Sequence, residues 1–157
     1  MRHTRMDKAR CPVARSLDAI GDWWTLLIIR DAFNGARRFK DFQKGLGLAK
    51  NILSHRLSQM VAHGIFELRP ASDGSAYKEY HLTEKGLQLR VVLLALRQWG
   101  EDNLFSPGEP ILVTVDKKKG APLRRLRLTA QDGRALAATD VMVKEGHAPG
   151  NVDVGQP

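Results

Sequence analysis

The chain has 157 residues, 43% of them hydrophobic, which is enough for one packed domain with an appendage and too short for the two-domain architecture of most cofactor enzymes. A formal net charge of +8 favours an anionic partner, above all nucleic acid. The apolar runs fall far short of the ~18 residues of a membrane span, the N-terminus does not lead into a signal-peptide core, and there is a single cysteine, so we expect a cytoplasmic protein without a membrane segment or an intrachain disulfide.

Two helices are predicted at the start of the ordered chain. Pro12 suits a first helical position, so Cys11 is the predicted N-cap of a helix that continues to about Ile20. Asp22 can cap a second helix that ends at Asn34. The apolar density of the second helix is too high for a surface element, and it is therefore the predicted core helix.

A basic segment with the pattern of a helix-turn-helix follows. A short helix is predicted over residues 38–44, and a tight turn separates it from a helix over residues 49–62. Apolar residues at i, i+4, i+7 and i+8 give the latter helix one buried face, and polar residues fall on the opposite face. That polar face holds Lys50, Asn51, Ser54, His55 and Ser58, and Arg56 adds a further positive charge.

Two strands and a long helix complete the pattern. Residues 65–69 and 78–82 read as strands of a hairpin around an Asp-Gly turn, and Thr83 is the predicted cap of a helix to about residue 104. This helix has more apolar surface than one core needs, so a second copy of the chain is the simplest partner. One stripe of this helix holds Leu87, Val91 and Leu94, with Gln98 at its end, and another holds Leu89, Leu93, Leu96 and Trp99.

The order of elements predicts a mainly α fold with a β-hairpin wing, which is a winged helix-turn-helix. An α-helix fits the major groove of B-DNA with its N-terminal residues at the base edges. There Lys50 can donate to guanine O6 and N7, and Asn51 can bridge adenine N6 and N7. Phosphate contacts, which fix register without reading sequence, are predicted for Arg37, Arg38 and Lys40. The tip of the wing, with Ser75 and Lys78, is predicted to contact the minor groove or the backbone.

Composition divides the chain into five segments. Residues 1–10 are a predicted flexible basic arm, and residues 11–105 form the predicted DNA-binding and dimerisation domain. A Pro- and Gly-containing linker is predicted at 106–110. Alternating apolar residues and a second Asp-Gly turn predict a small β-rich C-terminal appendage at 111–145, and 146–157 read as a disordered tail.

Several motifs stand in a fixed order between residues 11 and 104. They are Cys11-Pro-Val-Ala-Arg-Ser-Leu17, Ile20-Gly-Asp-Trp-Trp-Thr-Leu-Leu-Ile-Ile-Arg30, Arg38-Phe39, Leu53-Ser-His-Arg-Leu57, His63-Gly64, Tyr80-His-Leu-Thr-Glu-Lys-Gly86 and Trp99-Gly100. Together they resemble the HxlR family of bacterial winged-helix regulators. The resemblance implies a dimeric transcription factor whose recognition helix spans residues 49–62 and whose first and last helices of this region form the dimer interface. The implied interface residues are Val13, Leu17, Leu89, Leu93, Leu96 and Trp99.

Two positions depart from the pattern that the family resemblance implies. Ala49 stands where a capping serine is common, and the loss of such a cap costs about 1 kcal/mol, so packing must fix this end of the recognition helix. Trp23 stands beside Trp24, and adjacent helical residues cannot face the same core. One of the two is predicted to be core, and Trp23 is the candidate for the dimer interface or an effector pocket.

Cys11 lies where the resemblance implies a redox-sensing thiol. A helix N-terminus with Arg10 adjacent and Arg15 one turn later favours the thiolate, which is the reactive form. As the single cysteine, it could form a disulfide only with another subunit or a small thiol, or stop at sulfenic acid. The alternative is an inert thiol packed at the dimer interface.

The sequence therefore predicts a dimeric, sequence-specific DNA-binding transcriptional regulator that binds a pseudo-palindromic duplex operator and acts as a repressor. It carries no motif of an enzyme, a cofactor or a metal site, because its five histidines lack metal-ligand spacing. A small-molecule or oxidant effector is left open. The alternatives are a winged-helix protein-interaction or ligand-binding module without operator recognition, and binding of structured RNA through the basic face.

Overall fold

The computed structural model describes residues 5–148, and the chain divides into two compact units between Glu109 and Pro110. The first unit is mostly helical with one antiparallel hairpin, which confirms the predicted winged-helix class. Its elements are α1 (Pro12–Ile20), α2 (Trp23–Phe33), α3 (Phe39–Leu46), α4 (Lys50–Ala62), β1 (Phe66–Pro70), β2 (Lys78–Leu82), α5 (Glu84–Leu87) and α6 (Leu89–Asn103). Among the described residues, no helix combines the length and hydropathy that a bilayer crossing needs.

Helix boundaries follow the local signals of the sequence. Cys11 is the N-cap of α1, and Oδ1 of Asp22 accepts a hydrogen bond of 3.1 Å from the N–H of Thr25 at the start of α2. Gly47 ends α3 with φ of 65°, a left-handed conformation that glycine adopts without steric cost. Ala49 caps α4 through its extended backbone, without a side-chain hydrogen bond.

The core forms around α2 and fixes the orientation of α4. Ile28 and Ile29 of α2 are fully buried, as are Leu53 and Leu57 of α4. Burial of each such side chain stabilises the fold by about 1.5–3 kcal/mol. Because these leucines lie on one side of α4, the opposite side must face solvent.

The hairpin packs on this core through aromatic rings. Phe42 of α3, Phe66 of β1 and Tyr80 of β2 have ring centroids 6.1–6.2 Å apart. The strands pair from Phe66 opposite Leu82 to Pro70 opposite Lys78. The first strand begins one residue later than predicted, since the N–H of Ile65 donates to the carbonyl of Met60 at the end of α4.

The predicted long helix is interrupted at Gln88, and its apolar faces differ from the prediction. Oγ1 of Thr83 donates to the carbonyl of Gly64 over 2.6 Å, which ties the start of α5 to the turn between α4 and β1. Helix α6 packs on α2, and the guanidinium of Arg90 lies 3.8 Å from the ring centroid of Phe33. Leu89 and Leu93, predicted at the dimer interface, lie against the protomer's own core. Because α6 starts anew after Gln88, its rotation about its own axis is independent of α5. The apolar periodicity of the sequence therefore does not predict which side of α6 faces the core.

The strands predicted in the appendage are not formed. Residues 110–148 contain two isolated β-bridges, Val115 with Pro122 and Thr129 with Ala135, and a 3₁₀ helix at Ala138–Asp140. Alternation predicts a strand because one face is buried, and no side chain of this part of the chain is buried.

The two ends of the chain are described only in part. Of the predicted arm, residues 5–10 lie along α1: the N–H of Met6 donates to Oδ1 of Asp18 over 3.0 Å, and Nε of Arg15 donates to the carbonyl of Ala9 over 2.6 Å. Two hydrogen bonds therefore connect this part of the arm with α1, and its flexibility stays a prediction. Residues 1–4 and 149–157, including most of the predicted tail, lie outside the described residues.

Candidate nucleic-acid interface

The outward face of α4 carries the predicted base-contacting residues. Lys50, Asn51, Ser54, His55 and Ser58 are all exposed, while Leu53, Leu57 and Met60 on the opposite side are buried. The positive end of the helix dipole lies at Lys50, where it favours a negatively charged group. The structure therefore presents this polar face, with its positive end, to solvent.

Arg56 differs from the other polar residues of α4. Its Nη2 lies 2.9 Å from Oδ2 of Asp22, the N-cap of α2, and both side chains are less than a third exposed. The prediction of Arg56 as a DNA contact rested on charge alone. In the folded chain this guanidinium joins the recognition helix to the core helix.

Arg38 is also held by carboxylates of its own chain. Nη2 of Arg38 lies 2.6 Å from Oδ2 of Asp73, and its Nε lies 3.4 Å from Oε1 of Glu79. Hereafter Arg38, Asp73 and Glu79 are called the wing clamp, because they join the start of α3 to the hairpin and its loop. Their arrangement neutralises the charge that was predicted to contact phosphate.

Glu79 is a buried acid of the wing clamp that sequence reasoning missed. Its carboxylate also accepts from the N–H and Oγ of Ser72 at 3.3 and 3.2 Å, and Oε2 lies 3.3 Å from Nε2 of His81. Burial alone would raise the pKa of Glu79, but the hydrogen bonds from Ser72, His81 and Arg38 outweigh it and lower the pKa. The one signal in the sequence was an acidic residue at a strand position adjacent to Tyr80.

Two further carboxylates have lowered pKa values in this region. The Arg38 guanidinium, together with Ser75, holds the pKa of Asp73 well below its ordinary value. The backbone N–H groups of Arg38 and Arg37 donate to Oδ2 of Asp41 over 2.8 and 3.1 Å, which lowers the pKa of Asp41. All three acids are thus stabilised in their charged forms.

The remaining predicted phosphate contacts are divided between structural and exposed groups. Nη1 of Arg37 donates to the carbonyls of Ala32 and Ala36 over 2.7 and 3.0 Å and so closes the C-terminal end of α2. Lys40 on α3 and Lys78 at the start of β2 are exposed. The N–H of Ser75 donates to Oδ1 of Asp73 within the loop. Lys40 and Lys78 are therefore the lysines of this set that the fold leaves at the surface.

Five of the residues predicted at the dimer interface have exposed apolar side chains. Val13 and Leu17 of α1, Trp23 of α2, and Leu96 and Trp99 of α6 are all exposed, as expected for interface residues. Trp23 is 63% exposed and stacks on Trp24 with ring centroids 4.2 Å apart, while Trp24 packs against the core. The two tryptophans therefore divide between core and surface as predicted.

Cys11 is exposed at the N-terminus of α1. One of the two cations predicted to act on it, Arg15, donates its Nε to the carbonyl of Ala9. Within residues 5–148, no group of three His, Cys, Asp or Glu side chains has an arrangement that could hold a metal ion.

Comparison with known proteins identifies the family of the winged-helix unit. The profile of the HxlR-like helix-turn-helix family matches residues 19–106. The HTH-type transcriptional regulator Rv3095 of Mycobacterium tuberculosis is 43% identical over 100 residues, and the match covers 63% of this chain and 63% of that protein. The chain thus spans somewhat less than two thirds of this relative.

Solved structures with the same fold extend the comparison. The crystal structure of PA1607, described as a candidate transcription factor, is similar with a TM-score of 0.84 and 51% identity, over 90% of this chain and 99% of that chain. The redox regulator HypR in its oxidised form is similar with a TM-score of 0.54 and 30% identity, over 61% of this chain and 100% of that chain. The similarity to PA1607 thus extends past the winged-helix unit.

Proposed function

The chain belongs to the HxlR-like helix-turn-helix family, and we propose on that premise that it is a homodimeric transcriptional regulator that binds duplex DNA sequence-specifically. The observation that carries this proposal is the exposed polar face of α4, which is fixed in place by buried leucines on its other side. Such a helix enters the major groove with its N-terminal end, so that Lys50 and Asn51 meet base edges. Ser54, His55 and Ser58 follow along the same helix.

A dimer sets the form of the operator. Two recognition helices related by a two-fold axis contact half-sites one helical turn apart, about 34 Å. The apolar surface of α1, Trp23 and α6 supplies the self-complementary patch that such symmetry needs. The operator is therefore a pseudo-palindrome, and a dimer bound over a promoter represses it.

Phosphate contacts come from the exposed lysines rather than from the clamped arginines. We assign this role to Lys40 and Lys78, since the charges of Arg38 and Arg56 are paired within the chain. Loss of one phosphate contact reduces the slope of log K against the logarithm of the salt concentration by about 0.9. Arg38 and Arg56 act indirectly, by holding the wing and the recognition helix in position.

A gel-shift and site-selection experiment tests the proposal. The wild-type protein is expected to select a two-fold symmetric sequence from random duplexes and to bind it less tightly as salt rises. Lys40→Ala and Lys78→Ala lower the salt slope, and Lys118→Ala in the second unit is the charge-matched control. If wild-type protein selects no sequence, operator recognition is wrong and a protein-interaction or ligand-binding role of the winged-helix frame takes its place. Preference for structured RNA over duplex DNA in competition would instead favour the RNA alternative.

Oxidant response is a second candidate function. Cys11 is exposed at the N-terminus of α1, and the similar protein HypR is described as a redox regulator. With a single cysteine in this chain, the response is a disulfide between two Cys11 side chains, a mixed disulfide with a small thiol, or a sulfenic acid.

A further inference from the structure

Ile52 is an apolar residue on the polar face of the recognition helix. It is the third residue of α4, and its side chain is 42% exposed, whereas the neighbouring Leu53 is fully buried. The sequence pattern did not single it out, because an isoleucine beside a leucine reads as part of the core stripe. In the folded chain it does not belong to the buried cluster.

The position of Ile52 places it among the predicted base contacts. Residues three or four apart are neighbours on a helix surface, so Ile52 lies beside His55, and Gln59 continues the same row one turn later. His55 and Gln59 are both exposed. Asn51 precedes Ile52 in the first turn, the part of a recognition helix that reaches base edges. Ile52 is thus the apolar member of a polar row at the end of the helix that enters the groove.

The major groove offers one prominent apolar group, the C5-methyl of thymine. We propose that Ile52 contacts a thymine methyl and makes the protein select an A·T pair at one position of each half-site. An A·T pair also presents adenine N6 and N7 in the same groove, which are the atoms that Asn51 can bridge. The two adjacent residues then read an A·T-rich step with one polar and one apolar contact.

The size of the effect follows from the methyl group alone. Burial of one such group is worth about 0.8 kcal/mol, or roughly fourfold in affinity for each half-site. Base hydrogen bonds are unchanged when thymine is replaced by deoxyuridine, since only the methyl is removed. Deoxyuridine substitution is therefore the specific probe of this contact.

The test combines site selection with deoxyuridine duplexes. Because the inference rests on the proposed function, wild-type protein first selects its site from random DNA, and each selected thymine is then replaced in turn by deoxyuridine. When one particular thymine of a half-site is replaced by deoxyuridine, the affinity of wild type is expected to fall about fourfold. The affinity of Ile52→Ala is expected to be the same for the thymine and the deoxyuridine duplex. Ile52→Val, which keeps two methyl groups, retains most of the discrimination, and Leu112→Ala in the second unit behaves as wild type.

Each outcome has a distinct meaning. If wild type and Ile52→Ala lose affinity equally at every deoxyuridine, or if no thymine matters, Ile52 does not read a methyl although operator recognition stands. If wild type selects no sequence at all, the proposed function fails and this inference falls with it. Circular dichroism of each variant checks that the fold is retained, and the exposed position of Ile52 makes Ile52→Val a variant that folds.

Discussion

Arg56 of the recognition helix is paired with Asp22, which at the same time caps the core helix. One carboxylate oxygen of Asp22 lies 2.9 Å from Nη2 of Arg56, and the other accepts the N–H of Thr25 over 3.1 Å. Asp22 thus connects the start of α2 to the middle of α4. Because Trp23 of the exposed apolar surface follows Asp22 directly, this contact also joins the proposed dimer surface to the proposed DNA surface.

Substitution at this contact is expected to destabilise the first unit. Asp22→Ala removes both the cap, worth about 1 kcal/mol, and the ion pair, whereas Arg56→Ala removes the ion pair alone. Partly exposed pairs couple by about 0.2–1 kcal/mol, so the two effects should be less than additive in the double variant. Urea unfolding followed by tryptophan fluorescence measures this, because all three tryptophans lie in the first unit.

The matched variant Asp22→Asn separates the two roles of Asp22. Asparagine caps a helix about as well as aspartate but cannot form the ion pair. If Asp22→Asn lost as much free energy of unfolding as Asp22→Ala, the charge of Asp22 and not its capping would dominate. Strict additivity of Asp22→Ala and Arg56→Ala would contradict the contact.

The wing clamp predicts a dependence of stability on pH. The pKa values of Asp73 and Glu79 are lowered in the folded chain, so the unfolded chain binds more protons in the acidic range and stability rises with pH there. The stabilisation is complete above the ordinary pKa values of about 3.9 and 4.3 and is lost as the pH falls through the lower folded values. Unfolding of wild type and Asp73→Asn by urea between pH 2 and pH 7 measures it.

The control for this prediction is Asp132, whose pKa is also lowered, through a hydrogen bond from Arg134. Asp132 lies in the second unit, so Asp132→Asn should leave the acid dependence of the tryptophan signal unchanged. Asp73→Asn should flatten that dependence. Identical profiles for wild type and Asp73→Asn would show that the clamp contributes nothing to stability.

The exposed apolar surface predicts the oligomeric state. Leu96→Glu places a charge among the proposed interface residues, and burial of an unpaired charge is strongly unfavourable. Light scattering after gel filtration should give the variant the mass of one chain, 17.5 kDa. Wild type should have the mass of two chains. Leu112→Glu, at an exposed leucine of the second unit, should remain a dimer. A dimeric Leu96→Glu would place the interface elsewhere.

Cys11 predicts the response to oxidant. After mild diamide treatment, a non-reducing gel should show either a band of two chains or, by mass spectrometry, a thiol adduct, and operator affinity should change. Cys11→Ser should do neither and should bind DNA as reduced wild type does. A monomer band with the thiol still titratable would end the proposal of oxidant response.

Much of the fold could be predicted because its signals are local. Pro12, Asp22 and Gly47 define helix ends through their own backbone preferences and capping atoms. The apolar spacing of Leu53, Leu57 and Met60 identifies the buried side of α4 and, by exclusion, its polar side. These features depend on neighbours within one or two helical turns, and the sequence contains those neighbours directly.

The roles of the charged residues were decided by the tertiary structure. Arg38 meets Glu79 and Arg56 meets Asp22 across 41 and 34 positions of the chain, and no periodicity relates such distant residues. A positive charge in a helix looks the same in sequence whether it pairs with a carboxylate of its own chain or remains for a phosphate. The contact of Leu89 and Leu93 with the core and the exposure of Ile52 likewise depend on how the helices pack. The sequence thus determined the helices and strands and their polar and apolar sides, because these arise from local geometry. Only the folded chain decided which charged and apolar groups contact one another, because those contacts join residues that are far apart in the sequence.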